Sequence, residues 1–289
     1  MFAVKFSGHV IYTQLYIHSD IMNRILYYLE RNILIELSAH QSWRMILIGI
    51  DDTDNLESHG TGYLSRQLGA LIASSGTARV HEITRHQLLF DRRIPYTSHN
   101  SSLCLRVEVP SDDTSALADM CRAYLLEHSA VGSDAGLCIA AWSNVPPVVE
   151  DFGFKAKKEI LTRDQARDLT RREGLFLEGL TGDHGGVIGA LAAVGLRKSG
   201  RDGRIAWRPG LRETRGIVTG AHLLTHSGID AIRQVHSGEP VDASDRISVN
   251  PWPRGVMIDG RAVLLVEPTG KPNDQCQWQL APKDILRQY

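Results

Sequence analysis

Three aspartates lie within four positions of the sequence, directly after a short apolar run. Asp51, Asp52 and Asp54 follow the run Met45–Ile50, and Thr53 between them is a candidate for cofactor contact. Carboxylates this close repel one another unless a cation or hydrogen-bond donors offset their charge. Magnesium prefers oxygen ligands and commonly bridges one or two carboxylates to nucleotide phosphates. The loop therefore predicts a divalent-cation site beside a bound phosphate. The alternative is a surface turn in which Asp54 only caps a helix.

A second candidate for phosphate contact is the glycine-rich segment LEGLTGDHGGVIGALAAVGL. Glycines let backbone amides approach a phosphate at the start of a helix, where the helix dipole also favours negative charge. We assign phosphate contact to Gly182, Gly185 and Gly186, whereas Gly189 and the small residues after it are expected to permit close helix packing. His184 lies beside these glycines and is a candidate for phosphate contact or proton donation. No Lys-Ser or Lys-Thr follows the glycines, which excludes a P-loop.

The local sequence patterns indicate which elements hold these residues. Met45–Ile50 is apolar and rich in β-branched residues, as a buried central strand would be. Thr61 is expected to cap a helix that runs to Ala73 with one apolar face. Leu103–Val109 alternates apolar and polar residues, which predicts a half-buried strand. This alternation of strands and helices is typical of a mixed α/β fold.

Two further patterns mark the ends of elements. Thr162 and Gln165 have capping-box spacing at the head of a charged helix that ends before Gly174. Near the C-terminus, Asp259-Gly260 separates two apolar runs, and this pair accepts the positive φ angles of a tight turn. A β-hairpin is therefore predicted there.

Length and composition set the outer limits on function. The chain has 289 residues, enough for two domains, and its 43% hydrophobic content is that of a folded protein. With 32 Lys+Arg against 33 Asp+Glu the net charge is -1, so no overall positive field attracts nucleic acid. No apolar run approaches the roughly 20 residues of a membrane span. The four cysteines form no CxxC pair, which favours reduced thiols and a cytoplasmic protein.

We divide the chain into an N-terminal extension (residues 1–44), an α/β region for nucleotide and metal (45–200) and a smaller α+β region (201–289). The extension lacks the pattern of a signal peptide, and translation is expected to begin at Met45, where the first clear strand starts. The glycine- and charge-rich stretch Lys198–Gly210 is the expected linker. Its alternative interpretation is an RNA-binding patch, formed by Arg197, Lys198, Arg201, Arg204 and Arg208 with Trp207 as a stacking surface.

Four motifs occur in one order along the chain: IGIDDTDN, GTGYL, RIPYTSHN and TGDHGGVIGALAAVGL. In this order they resemble the archaeal 2-agmatinylcytidine synthetases, which use ATP and magnesium to activate a cytidine in an isoleucine tRNA and then attach agmatine. The resemblance implies a kinase-like nucleotide-binding domain joined to a ferredoxin-like one. It also implies that Asp51, Asp52 and Asp54 are the metal-and-phosphate acids and that Gly185 to Gly189 form the nucleotide loop.

The chain also departs from the family pattern. The family has Ile-Pro-Tyr-Lys-Thr-Arg-Gly-Asn where this chain has Ile94, Pro95, Tyr96, Thr97, Ser98, His99 and Asn100, so a Lys and an Arg are missing. His99 is expected to replace part of the lost charge, and Arg92 and Arg93 are candidates for phosphate contact or plain surface residues. No counterpart of the family's OB-fold and zinc ribbon is visible, so a short form is expected.

Three functions are compatible with these residues. The first is a magnesium-dependent enzyme that transfers a phosphoryl or nucleotidyl group from ATP to an unidentified acceptor, a tRNA or a small molecule. The second is a nucleotide- or RNA-binding protein without catalysis. The third is a metal-dependent hydrolase of a small phosphorylated metabolite.

Overall fold

The structure is a computed structural model that describes residues 43–97, 99–110, 114–273 and 276–289. Residues 1–42, nearly all of the predicted extension, lie outside the described part, so the start at Met45 stays a prediction. Trp43–Tyr289 group into one compact unit. The division at residue 200 likewise stays a prediction.

Strands and helices alternate in the first half of the described chain, and strands dominate the second. The strands are β1 Arg44–Asp51, β2 Arg79–Gln87, β3 Ser101–Val109, β4 Gly136–Ala141, β5 Phe176–Gly179, β6 Arg204–Trp207, β7 Ile217–Thr219, β8 Ala231–Gln234, β9 Arg246–Ser248, β10 Gly255–Ile258, β11 Arg261–Asn273 and β12 Cys276–Leu280. The helices are α1 Thr61–Ser75, α2 Ser115–His128, α3 Pro147–Ala156, α4 Arg163–Glu173, α5 Val187–Ser199, α6 Gly220–His226 and α7 Lys283–Leu286. No helix in the described ranges is both long enough and apolar enough to cross a membrane.

The described strands form one sheet in the order β5-β4-β1-β3-β2-β6-β10-β11-β12-β9-β7, with β8 paired to β11. Most neighbouring strands are antiparallel; the exceptions are β11 with β8 and β12 with β9. The chain order β1-α1-β2-β3-α2-β4 with the sheet order β4-β1-β3-β2 is the ferredoxin-like arrangement. The predicted mixed α/β class is confirmed, and residues 44–141 build its ferredoxin-like part.

Helices cover both faces of this part of the sheet. Ile46 and Ile48 of β1 pack into one core with α1 and α2, whereas Leu47 packs into a second core with α3, α4 and α5. A strand buried on both faces reads as a continuous apolar run, which explains the sequence of β1. Gly49 is needed there, because a Cβ atom would lie 2.0 Å from the carbonyl oxygen of Ala190 in α5.

The predicted cap of α1 is wrong by one residue. Gly60, not Thr61, is its N-cap and makes no side-chain hydrogen bond, and the helix runs from Thr61 to Ser75 instead of ending at Ala73. At the head of α4, the Gln165 amide donates to the Thr162 hydroxyl and the Thr162 amide donates to the Gln165 side chain. Helix α4 ends at Gly174, whose φ of 66° is left-handed. The capping box and its stop signal are confirmed.

The C-terminal strands enclose a core of their own, which includes Leu223, Ile247 and Leu264. The predicted hairpin lies within it: β10 and β11 pair antiparallel on either side of the turn. The turn residues Asp259 and Gly260 have φ angles of 50° and 75°, as a two-residue hairpin turn requires. The hairpin prediction is confirmed.

The linker predicted at Lys198–Gly210 is wrong, because this stretch contains β6, which pairs with β2 inside the sheet. Glu82 of β2 is fully buried. Arg197 Nε and Arg208 Nε donate hydrogen bonds of 2.6 and 2.8 Å to its carboxylate. Burial raises the pKa of Glu82, but the charges of Arg197, Arg208 and Arg106 outweigh it and lower the pKa to about 2. The basic run is therefore neither a hydrated linker nor a single RNA-binding patch.

A second buried polar network joins β2 to the segment after α5. His86 is fully buried, and its Nδ1 donates a 2.9 Å hydrogen bond to Asp202, which also pairs with Lys157. The His86 Nε2 then accepts from the Thr84 hydroxyl at 2.8 Å. Burial lowers the pKa of His86, the bond to Asp202 opposes this, and the charges of Arg197 and Lys157 reinforce it. His86 is therefore held neutral in the folded protein.

This burial makes folding depend on pH. The unfolded chain protonates His86 near its ordinary pKa of about 6.5, whereas the folded protein resists protonation until a lower pH. The stability contributed by neutral His86 is thus present above about pH 6.5 and is lost as the pH falls, with a slope that approaches about 1.4 kcal/mol per pH unit. We expect the free energy of unfolding of the wild type to fall relative to that of His86→Gln as the pH is lowered from 7 to 5, with this slope. Urea titrations of both proteins measure the difference.

Comparison with the variant cancels the titration of all other groups that both proteins share. His236→Gln is the matched control, because it makes the same chemical change on an exposed side chain outside this network. A His86→Gln difference that is independent of pH would contradict the assignment of a neutral buried imidazole.

Candidate functional site

Three loops meet at the edge of the sheet where β1 ends. Asp51, the last residue of β1, pairs with Gly136, the first residue of β4, and Gly136 pairs with Gly179, the last residue of β5. The acidic loop after β1, the turn before β4 and the glycine-rich turn after β5 therefore lie side by side. Helix α5 starts from the glycine-rich turn, so its N-terminus lies at the same edge.

A cavity of about 240 Å³ lies among these loops. Aspartates, the start of α5, the Pro95 loop and apolar residues line it: Asp51, Asp52, Leu88, Arg93, Ile94, Pro95, Asn100, Asp134, Ala156, Glu159, Ile160, Leu161, Gly185, Gly186, Ile188 and Gly189. The fold thus brings residues of three sequence motifs to one cavity, although they are far apart along the chain.

The carboxyl groups of this cavity are crowded and partly buried. Burial, followed by the charge of Asp52 and then that of Asp54, raises the pKa of Asp51 to about 8. Burial and the charge of Asp134 raise the pKa of Asp52 to about 6. Among the described residues, no Lys, Arg or His side chain forms an ion pair with Asp51, Asp52 or Asp134. A bound cation would relieve this uncompensated charge.

The donor set suits magnesium better than a transition metal. The described residues contain no group of three or more His, Cys, Asp or Glu side chains that could hold a metal ion. Magnesium does not need such a group, because it keeps several waters and takes one or two carboxylates together with phosphate oxygens. Asp51 and Asp52 are the residues that could hold it in this cavity.

Asp54 has a different position from the one predicted. Its Oδ1 accepts hydrogen bonds from the Thr61 hydroxyl at 2.7 Å and from the Thr61 amide at 3.2 Å, and its Oδ2 accepts one from the Thr97 hydroxyl at 2.9 Å. Asp54 does not line the cavity. It fastens the acidic loop to the start of α1, which is the capping alternative considered for this residue.

The glycine-rich turn brings backbone amides to the cavity. The Gly186 amide donates a 2.8 Å hydrogen bond to the Asp134 carbonyl, so it is not available for the predicted phosphate contact. No group among the described residues accepts a hydrogen bond from the amides of Gly185 and Gly189. Both glycines line the cavity at the positive end of the α5 dipole. Gly185 and Gly189 are therefore the amides that can meet an anion there.

Gly189 also lies directly against the Asp51 side chain. A Cβ atom at position 189 would be 1.7 Å from Asp51 Oδ2. The prediction that Gly189 serves close packing thus holds in one respect, but its neighbour is the candidate metal ligand rather than another helix.

Asp134 is a residue of the site that sequence reasoning did not find. It lies in the turn before β4, and its Oδ1 accepts a 2.6 Å hydrogen bond from the Asp183 amide. A Cβ atom at Gly182 would lie 1.9 Å from that oxygen, and Gly182 has a φ of 52°. Gly182 therefore serves the shape of the turn instead of the predicted phosphate contact. The only local signal for Asp134 is a small-residue turn ahead of an apolar run, which is common in proteins.

Two predicted site residues, Thr53 and His184, belong to these loops but do not face the cavity. Thr53 is buried, and its amide and hydroxyl donate to the Thr61 hydroxyl at 3.3 and 3.1 Å. His184 has a φ of 64°, and its Nδ1 accepts a 3.2 Å hydrogen bond from Arg167. His184 lines a separate cavity of about 450 Å³ beside the head of α4. Neither residue lines the cavity with the aspartates.

The predicted cationic contacts are only partly at the cavity. Arg93 lines it, but its guanidinium pairs with the Asp91 carboxylate at 2.7 Å. Arg92 and His99 are exposed and do not line it. The His99 ring centroid lies 6.4 Å from that of Phe90.

No protein-family model matches the chain. An uncharacterized protein of Methanocaldococcus jannaschii is 29% identical to it over 151 residues, which are 52% of this chain and 49% of that protein. The chain thus spans about half the length of the curated relative that it matches.

Three solved structures are similar to about half of the chain. They are apo TiaS, an agmatidine synthetase for an isoleucine tRNA (TM-score 0.46, 25% identity, 52% of this chain and 35% of that chain), the complex of TiaS with this tRNA, AMPCPP and agmatine (0.46, 26%, 52% and 36%), and a tRNA fluorescent labeling enzyme (0.47, 28%, 52% and 36%).

Proposed function

We propose that this protein is a magnesium-dependent, ATP-using enzyme that transfers a phosphoryl or nucleotidyl group, like the 2-agmatinylcytidine synthetases that its motifs resemble. The supporting observation is the cavity lined by Asp51 and Asp52, which form no ion pair with a cationic side chain of the described residues, and by Gly185 and Gly189, whose amides have no acceptor among those residues. Carboxylates bind a cation, and free amides at the start of a helix bind an anion. A metal ion with a phosphate satisfies both groups at once.

Each residue of the site has a definite task in such an enzyme. A bound magnesium ion would supply charge neutralisation of the phosphates and would be held by Asp51 and Asp52. The amides of Gly185 and Gly189 would orient phosphate oxygens. Asp134 holds the glycine-rich turn in place through the Asp183 and Gly186 amides. Catalysis would then rest on positioning and charge neutralisation, as is general for phosphoryl transfer.

The acceptor is part of the proposal. The order of the motifs between Met45 and Leu196 favours a tRNA, as in the family that they resemble. The loss of the family's Lys and Arg from the Pro95 loop favours a smaller acceptor, because fewer cations remain to hold an RNA backbone.

A second candidate is a nucleotide-binding protein without catalysis. The specific observation in its favour is that no unpaired cationic side chain of the described residues lines the cavity. Arg93 is paired with Asp91, and the Thr97 hydroxyl is bonded to Asp54, where the family has a Lys. A transfer enzyme usually has a free cation near the transferred group.

Calorimetry with ATP separates these candidates. We expect ATP to bind with a Kd of about 1 mM or tighter in magnesium, and at least about tenfold more weakly in EDTA, since the aspartates repel an uncompensated triphosphate. Adenosine, which lacks phosphates, is the control and should show no effect of magnesium.

The same samples are assayed for release of phosphate or pyrophosphate. Binding with turnover supports the enzyme, and binding without turnover supports the second candidate. Absence of magnesium-dependent binding would refute both.

A further inference from the structure

A group of cationic side chains lies at the same edge of the sheet but on the other face. The register Ile50, Leu103, Arg85, Arg204 runs across β1, β3, β2 and β6. Side chains of directly paired residues share one face of a sheet. Arg85 and Arg204 therefore lie on the face of Ile50, which packs with α1 and α2, whereas Asp51 lies on the face of α5.

These arginines lack a carboxylate partner. Arg85 Nε donates a 2.8 Å hydrogen bond to the Ser101 hydroxyl. Arg204 Nε is buried and has no hydrogen-bond partner. No ion pair to Arg85, Arg204 or Arg287 exists among the described residues. A buried guanidinium nitrogen without an acceptor is costly, and native proteins rarely leave one unpaired.

Two more groups, Arg287 and His99, interact electrostatically with Arg85 and Arg204. The pKa of Arg204 is lowered to about 10 by burial and by the charges of Arg85 and Arg287. Burial and the charges of Arg85, Arg287 and Arg204 lower the pKa of His99. Asp202 and Asp54 oppose these effects on Arg204 and Arg85 only weakly and from outside ion-pair distance. The group thus has three positive charges that repel one another.

The contrast with Glu82 shows what is missing here. Around Glu82 three guanidinium groups form ion pairs with one buried carboxylate, whose negative charge offsets part of theirs. Around Arg204 the charges of Arg85 and Arg287 also add up, but no carboxylate of the described residues forms an ion pair with any of the three.

We propose that Arg85, Arg204 and Arg287, with His99 at their margin, form a binding site for a phosphate group of the acceptor substrate. Phosphate matches this arrangement because its oxygens accept several charge-assisted hydrogen bonds from planar guanidinium groups. None of the four residues lines the cavity with the aspartates, so the phosphate is distinct from those of ATP. Its assignment to the acceptor, unlike the anion site itself, rests on the proposed function.

The site also accounts for the altered Pro95 loop. This loop lacks the family's Lys and Arg, but the charges of Arg85, Arg287 and Arg204 act on His99 at its end. Positive charge at this edge is therefore supplied by the fold instead of by the loop. Arg204 and Arg287 lie beyond the motifs that resemble the family.

The test is a titration of the full chain with inorganic phosphate at constant ionic strength, without ATP or magnesium, followed by NMR of the arginine Nε–H signals. We expect saturable shifts, including that of Arg204, and at least tenfold weaker binding in Arg204→Gln and in Arg287→Gln. Arg287 is exposed, so its variant tests the site even if Arg204→Gln does not fold. Arg171→Gln, an exposed arginine on α4, is the matched control and should bind as the wild type does.

Absence of saturable shifts in the wild type, equal binding by the Arg204 and Arg287 variants, or equal shifts with acetate would overturn the proposal. The Asp51→Asn variant separates this result from the proposed function, since it should lose ATP turnover and keep phosphate binding. Competition by a short oligoribonucleotide would identify the phosphate as that of a nucleic-acid backbone. Phosphate binding without such competition would identify a small phosphate ester.

Discussion

Replacement of Asp51 by Asn is expected to lower magnesium-dependent ATP turnover by about 1000-fold, because a metal ligand contributes several kcal/mol of charge stabilisation to the transition state. Asn has the same shape as Asp and keeps the contact with Gly189, so the fold should be intact. The change also removes a carboxyl group whose ionised form is opposed by burial and by Asp52. Without magnesium, the variant should therefore melt at the same temperature as the wild type or roughly 2–4 °C higher.

Turnover is measured as phosphate or pyrophosphate release, and stability by thermal denaturation in EDTA. The matched control is Asp168→Asn, which makes the same chemical change on the exposed face of α4 and should affect neither quantity. Unchanged turnover in Asp51→Asn would remove Asp51 from the metal site. Lost turnover together with a melting temperature far below that of the wild type would assign Asp51 a structural role instead.

The elements that carry local signals could be predicted from the sequence. The apolar run of β1 ends at Asp51, the capping box starts α4, and the Asp259-Gly260 turn joins β10 to β11. In each case residues close together in the sequence determine the backbone conformation, so a short stretch of sequence is enough to predict it. The mixed α/β class follows from such windows.

The parts that could not be predicted depend on contacts between residues far apart in the chain. Strand β2 contains the polar residues Glu82, Thr84 and His86, which are all buried. The burial of Glu82 and His86 is possible because Arg197 and Asp202, more than a hundred positions away, bond to them. The role of the basic run could not be predicted for the same reason, because Arg197 and Arg208 bond to the distant Glu82.

The candidate site follows the same division. The acidic loop and the glycine-rich turn are visible as motifs, but which of their residues reach the cavity is decided by the fold. Asp54 and Thr53 form hydrogen bonds with Thr61 and do not reach it. Asp134 lies at the cavity because β4, which follows it, pairs with β1 and β5.

Gly189→Ala tests whether the position of the Asp51 carboxyl group matters for activity. The new Cβ atom would lie 1.7 Å from Asp51 Oδ2 and 2.5 Å from its Cγ, so the carboxyl group must move. A displacement of about 1 Å at a reacting centre can cost on the order of 100-fold in rate, and we expect a loss of this size in magnesium-dependent turnover. Stability should change little, since Ala favours the helix by up to about 1 kcal/mol over Gly and offsets the cost of the displacement.

Gly62→Ala is the matched control, because Gly62 also lies in the first turn of a helix. A Cβ atom there would meet only the end of the Arg66 side chain, at 3.8 Å. This variant should gain stability and keep its turnover. If Gly189→Ala also kept full turnover, the Asp51 carboxyl group could act from a different position, and the close contact between α5 and β1 would have a packing function alone. A loss confined to Gly189→Ala, with weaker magnesium dependence of ATP binding, connects the small residue at the start of α5 to the metal site.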